Sequence, residues 1–193
     1  MATGLKLITA PAVEPVSLAD IKLQCRVDTS DDDTLLTACI KAARAKAENY
    51  TGTALITQTW EQTLDAFPCY EIELLKPPVT SIVSVKYVDV NGVLQAIGNT
   101  LYVLNDGTFP GWLLPAYGST WPSTQAVANA VAIRYATGYA DAASVPSDIV
   151  AWLKLTAAFL YAQRESMVIG GKIAEIPSRF IDALLDPYRV FKA

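Results

Sequence analysis

The sequence predicts an α+β fold: a mostly helical core of about four helices, with a β-rich insertion between the second and third. Three observations lead there. Apolar residues recur at helical spacing in two stretches before position 53 and two after position 145. Between them, over 53–140, apolar and polar residues alternate, and proline and glycine punctuate the runs. The 193-residue chain is 52% hydrophobic and 18% charged, enough for one domain with a sizeable core. The expected organisation is a single domain over 1–193, with its helical core in 15–52 and 145–193.

The first helix is expected from about Ser17 to Val27. Ser17 can accept an orphan backbone N–H, and Asp20, three residues on, suits the positive helix end. Val16 and Ile21 are spaced as a hydrophobic staple, and Leu18, Ile21 and Cys25 share a face. The second helix carries Leu36, Ile40, Ala43, Ala47 and Tyr50 in one stripe, widened by Leu35 and Cys39. Gly52 suits its left-handed C-cap. Asp31, Asp32 and Asp33 lack the glycine and distal glutamate of a calcium loop, so they are read as dipole and capping residues.

In the insertion, Val83, Val85 and Tyr87 alternate with Ser84, Lys86 and Val88, as on a half-buried strand. Asn91-Gly92 marks a hairpin, because both residues accept positive φ. The segments ITQTWEQTLDAF, EIELL, TLYVL, GWLLP and NAVAIRYATGY read as further strands. Ser147, after Pro146, is placed to cap the third helix, which runs to about Glu165. MVIGGKIAEIP reads as a loop. Ser178 can cap a last short helix, SRFIDALLD, ended by Pro187. The basic, aromatic tail PYRVFKA has little left to pack on.

The third helix is the anomaly. Ile149, Leu153, Thr156 and Leu160 form one apolar stripe, while Val150, Leu155, Phe159 and Ala162 lie away from it. The second stripe needs a cover too, supplied either by the β-rich block or by another subunit.

Chemistry is mostly excluded. The chain has no histidine, which removes histidine-based triads, dyads and most transition-metal sites. Phosphate-loop, dinucleotide and nucleophile-elbow motifs are missing. Glu71 and Glu73 share a strand face and read as solvated, since catalytic pairs face each other across a cleft. Arg164-Glu165 closes the third helix and reads as an exposed or inter-subunit ion pair. The four tryptophans read as core or protein-interface residues, because Trp112 and Trp121 have no basic neighbours. A net charge of −4 argues against a duplex-gripping surface. No apolar run is long enough to span a membrane. MATGLKLITAP shows no signal-peptide pattern, so the expected compartment is cytoplasmic. Cys25, Cys39 and Cys69 are read as thiols, the first two on apolar helix faces.

The ordered series of segments resembles the tailed-phage head–tail connector family, the adaptor or head-completion proteins also found in prophages and gene transfer agents. The matching segments are PVSLADIKLQCRVDTSDDDTLLTACIKAARAKAENYTGTALITQTWEQTLDAFP, LLKPPVTSIVSVKYVDVNG, Trp121-Pro122, IRYATGYADAASVPSDIVAWLKLTAAFLYAQRES and IPSRFIDALLDPYRV. The resemblance implies a structural protein with no enzymatic activity and no cofactor or metal. It implies a homo-oligomeric ring, usually dodecameric and in some members monomeric until docked, in the virion neck after assembly in the host cytoplasm. That ring would sit between the portal protein and a stopper or tail-completion protein, with DNA passing through its channel. A tail-side neck or tail-completion protein of the same particle is the alternative. Carried over, the portal contact would be the C-terminal segment, with Ile176, Phe180, Tyr188, Arg189 and Phe191. The inter-subunit surface would include Val150, Leu155, Phe159, Arg164 and Glu165.

Overall fold

The computed structural model describes residues 3–163 and 181–190. The chain forms two compact units, one of Met1–Ala12 with Thr57–Tyr139 and one of Val13–Ile56 with Ala140–Ala193.

The first unit is all β. Its strands are β1 (Thr3–Thr9), β2 (Gln58–Leu64), β3 (Ile72–Glu73), β4 (Val79–Val88), β5 (Leu94–Ile97), β6 (Tyr102–Asn105), β7 (Trp112–Pro115) and β8 (Val131–Thr137). They build a five-stranded sheet, order β1-β2-β8-β4-β5, and a three-stranded sheet, order β3-β7-β6. Every pairing is antiparallel. Strand β8 lies at the centre of the larger sheet. Its Val131, Ile133, Tyr135 and Thr137 are buried, alternating with half-buried Ala132, Arg134 and Ala136. Leu64, Leu74, Val85 and Leu113 complete that core. The buried Tyr135 and Gln62 side chains are paired, as a dry interior requires, whereas the buried Trp60 indole N–H on β2 has no hydrogen-bond partner among the described residues. The Tyr135 hydroxyl bonds the Leu75 carbonyl at 2.8 Å and Gln62 Oε1 at 3.1 Å. The same Gln62 accepts from Leu75 N–H and donates to the Glu73 carbonyl. Outside the core, Trp121 stacks on Phe67 with ring centroids 4.9 Å apart, and its indole N–H donates to the Tyr70 carbonyl.

The second unit holds α1 (Leu18–Cys25), α2 (Asp33–Thr51) and α3 (Ser147–Ala162). Ser17 caps α1 as expected: its side chain accepts from Asp20 N–H at 3.1 Å and donates to the Asp20 carboxylate at 2.6 Å. Gly52, at φ 76°, closes α2 with its N–H on the Glu48 carbonyl. The core of this unit includes Ile21, Leu36, Ile40, Ala43, Ala47, Ile149, Trp152 and Leu153.

Several expectations need correction. The chain is not a mostly helical core of about four helices. Among the described residues there are three α-helices and eight strands in two sheets, so the fold is β-rich. The N-terminal segment is one reason: Thr3–Thr9 has no assignment in the sequence reading, yet pairs along β2 as an edge strand. The expected fourth helix is another. Ile181 and Asp182 are helical, but a turn and a 3-10 helix over Asp186–Tyr188 follow, with Pro187 unable to donate to an α-helical ladder. Ser178 and the loop MVIGGKIAEIP lie outside the described residues. Ser147 is the first helical residue of α3, not its cap; the Pro146 carbonyl takes the Val150 N–H. In β4 the register against β8 slips between Ile82 and Ser84, so Val83 bulges outward and is 56% exposed while Val85 is buried. At the β4–β5 hairpin only Gly92 has positive φ. The Asp89 carboxylate shapes the turn instead, accepting from Asn91 and Val93 N–H.

A candidate interaction surface on the helical unit

Charged side chains hold the helices at fixed spacings. Lys22 on α1 meets Asp33 on α2 at 2.6 Å, and Lys154 on α3 meets Asp20 on α1 at 3.1 Å. Arg44, deep on α2, bonds Glu14 at 2.7 Å and Glu48 at 2.8 Å, and Glu48 also accepts the Leu55 N–H. Burial alone would depress the Arg44 guanidinium, but the two carboxylates hold it above its usual value. Asp20 is held below the usual carboxylate range by the Ser17 hydroxyl and then Lys154. The Asp32 carboxylate takes the Tyr161 hydroxyl at 2.5 Å. Two of the three adjacent aspartates are therefore structural, and no group of residues with metal-ligand character occurs among the described residues. Arg44 and its partners are not legible in the sequence, because Glu14 and Arg44 are thirty residues apart.

With these ties made, α3 divides into two faces. Ile149, Trp152, Leu153, Thr156 and Ala157 are buried. Leu155 is 42% and Phe159 64% exposed, and Ala151 and Ala162 are exposed beside them. Val150 is half-buried. The second stripe is therefore largely exposed on α3. Leu23 on α1, at 80%, is the most exposed large aliphatic side chain among the described residues. Arg164 and Glu165 lie outside the described residues.

The C-terminal segment is anchored, contrary to the expectation that it has little to pack on. Leu185 is fully buried. Tyr50 donates to Asp186 at 2.8 Å, Arg189 stacks 4.8 Å over the Tyr50 ring, and Val190 N–H bonds the Thr51 carbonyl. Burial and the neighbouring Asp148 carboxylate raise the Tyr188 phenol. Of the expected portal-contact residues, Tyr188 is half-buried and Arg189 exposed. Ile176, Phe180 and Phe191 lie outside the described residues.

Little here suits catalysis. A shallow hollow in the β unit is lined by Tyr87, Ala96, Ile97, Leu101, Trp121 and Pro122 together with Ser119 and Thr120, none of them a carboxylate or a cation. Among the described residues no helix is long and apolar enough to cross a membrane.

Residues 15–81 match the family described as phage gp6-like head-tail connector protein, in agreement with the resemblance drawn from the sequence. No curated protein matches the chain. Solved structures that share its fold include necks and a virion of gene transfer agent particles. The neck of an empty GTA particle computed with C6 symmetry matches at TM-score 0.80 and 23% identity, covering 98% of this chain and 97% of that one. The virion of a native gene transfer agent particle matches at TM-score 0.80 and 23% identity, covering 98% and 96%. The neck of a native GTA particle computed with C12 symmetry matches at TM-score 0.74 and 22% identity, covering 98% and 97%.

Proposed function

We propose that this chain is a structural head–tail connector of a tailed phage, prophage or phage-like particle. It acts as one subunit of a homo-oligomeric ring in the neck, beneath the portal. The observation that carries the reading is a coincidence in one chain. A connector-family segment spans residues 15–81, and a fold found in neck structures extends over 98% of the sequence. The C6 and C12 symmetry of those necks supports the ring, and the proposed stoichiometry is a dodecamer.

The role is mechanical, not enzymatic. The ring joins the DNA-filled head to a stopper or tail-completion protein and lets DNA pass. A channel that gripped phosphates would stall that passage, and a chain of net charge −4 offers phosphate weak purchase. Val150, Leu155 and Phe159 lie in the inter-subunit surface, with Arg164 and Glu165 beyond them. The C-terminal segment, with Ile176, Phe180, Tyr188, Arg189 and Phe191, reaches the portal. Assembly takes place in the host cytoplasm, and the mature location is the virion neck.

The test is reconstitution with the portal protein of the same particle, separated by size and viewed by negative-stain electron microscopy. An added ring on the narrow end of the portal is expected. A bare portal, with the chain bound to tail components, would move the assignment to a tail-side neck or tail-completion protein. Removing the whole C-terminal segment would also remove buried Leu185, so the contact itself is better tested with Arg189→Glu and Phe191→Ser. Unchanged portal binding by both would sink that site.

A further inference from the structure

We propose that copies of this chain join through two different helix faces, the outer face of α3 in one copy seating on the outer face of α2 in the next. The inference rests on the ring reading above and supplies what that reading lacks, the receiving surface. A closed ring of more than two identical subunits needs a heterologous joint, in which each copy offers two distinct patches. A face that paired only with itself would stop at a dimer.

The first patch is the exposed side of α3. Ala151, Leu155 and Phe159 line it, with the two large side chains well exposed. The second is on α2, where Leu35, Ala38 and Ala42 are all exposed while Leu36, Ile40 and Ala43 turn inward. Both outer faces step by three or four residues, the repeat that lets one helix seat its side chains between those of another. Their sizes are complementary. Large Leu155 and Phe159 project from one face, and alanines on the other permit close approach.

Symmetry also sets the direction. Within a copy α3 runs antiparallel to α2: Lys46 lies 5.7 Å from the Trp152 ring, and Asp32 bonds Tyr161. The small rotation between neighbours in a many-membered ring leaves the next α2 pointing much as the first does. Each α3 then meets the next α2 antiparallel, as it meets its own. In that register Ala151 stands opposite Ala42, Leu155 opposite Ala38, and Phe159 beside Leu35. Helices of successive copies thus alternate around the ring, each α3 packed between two α2 helices.

The experiment uses full-length chain, concentrated alone and mixed with the portal ring, with mass measured by light scattering and rings scored by electron microscopy. Phe159→Glu and Ala42→Glu each place a charge on one face at an exposed helical site, and unchanged thermal melts show that folding is intact. Each variant alone is expected to lose ring formation. Mixed together they are expected to form a one-to-one pair and stop there, because only one intact joint remains between them. Rings formed by Ala42→Glu alone would overturn α2 as the receiver, and a mixture that stays monomeric would overturn the pairing of these two faces. Rings formed by both variants would sink the interface while leaving the connector reading intact. A wild-type chain that stays monomeric even on the portal would remove the ring, and this joint with it.

Discussion

The two units are held together by different means. The β unit closes on a neutral core, in which β8 alternates strictly and the one buried phenol is tied by Gln62 and the Leu75 carbonyl. Its cross-strand ion pair, Glu61 with Arg134, lies outside that core at 2.7 Å. The helical unit has an apolar core too, but adds charged ties between segments, Arg44 with Glu14 and Glu48, Lys22 with Asp33, and Lys154 with Asp20. Such ties fix helix spacing without consuming apolar surface. Leu155 and Phe159 on α3 are left exposed, and in the joint proposed above each would contribute about 1.5–3 kcal/mol if fully buried.

That contrast can be broken first at the β core. Tyr135→Ala should cost about 3–5 kcal/mol of folding stability, because it empties a buried ring site and strands the partners of its hydroxyl. Urea unfolding measures it. In the helical unit Arg44→Met should cost about 3 kcal/mol, since Glu14 and Glu48 would be left partly buried without their cation. A loss below that of a surface substitution would show that the charged ties do not hold this unit. Gly52→Ala should cost about 1 kcal/mol, because α2 ends in a left-handed turn that a Cβ disfavours. Thermal melts of the pair suffice.

The smallest effect sharpens the comparison through pH. Asp20 has its folded pKa depressed, so its contribution is full above the unfolded value of about 4. It is lost as pH falls through the lower folded value. Asp20 is 44% exposed, so about 0.5 kcal/mol is expected. Asp20→Asn should remove that acid-dependent part, read as a smaller drop in urea midpoint between pH 5 and pH 3. Phe159→Glu should leave stability within about 0.5 kcal/mol of wild type in the monomer. A large loss there would mean that the exposed face of α3 serves folding after all.

Legibility followed the range of the interactions. Ser17 and Gly52 were readable because capping acts within one turn of chain, and the two stripes of α3 were readable because 3.6-residue periodicity is local. Strand β1 was not readable: the seven residues TGLKLIT have no clear periodic signal of their own until β2 lies beside them. Val83 looked inward on alternation alone, and only the slip in register against β8 turned it out. The C-terminal segment looked idle because its partners, Tyr50 and Thr51, are more than a hundred residues earlier in the chain.

By itself the sequence determined the positions of α1, α2 and α3, though within an expected four-helix core, together with the β character of the middle, the lack of histidine chemistry and the connector resemblance. These depend on neighbouring residues, on composition and on the order of segments along the chain. Only the tertiary structure decided that the fold is β-rich, that Arg44 gathers Glu14 and Glu48, and that Leu155 and Phe159 stand exposed on α3. Each of those depends on which distant segments meet, and spacing along a chain carries no record of that.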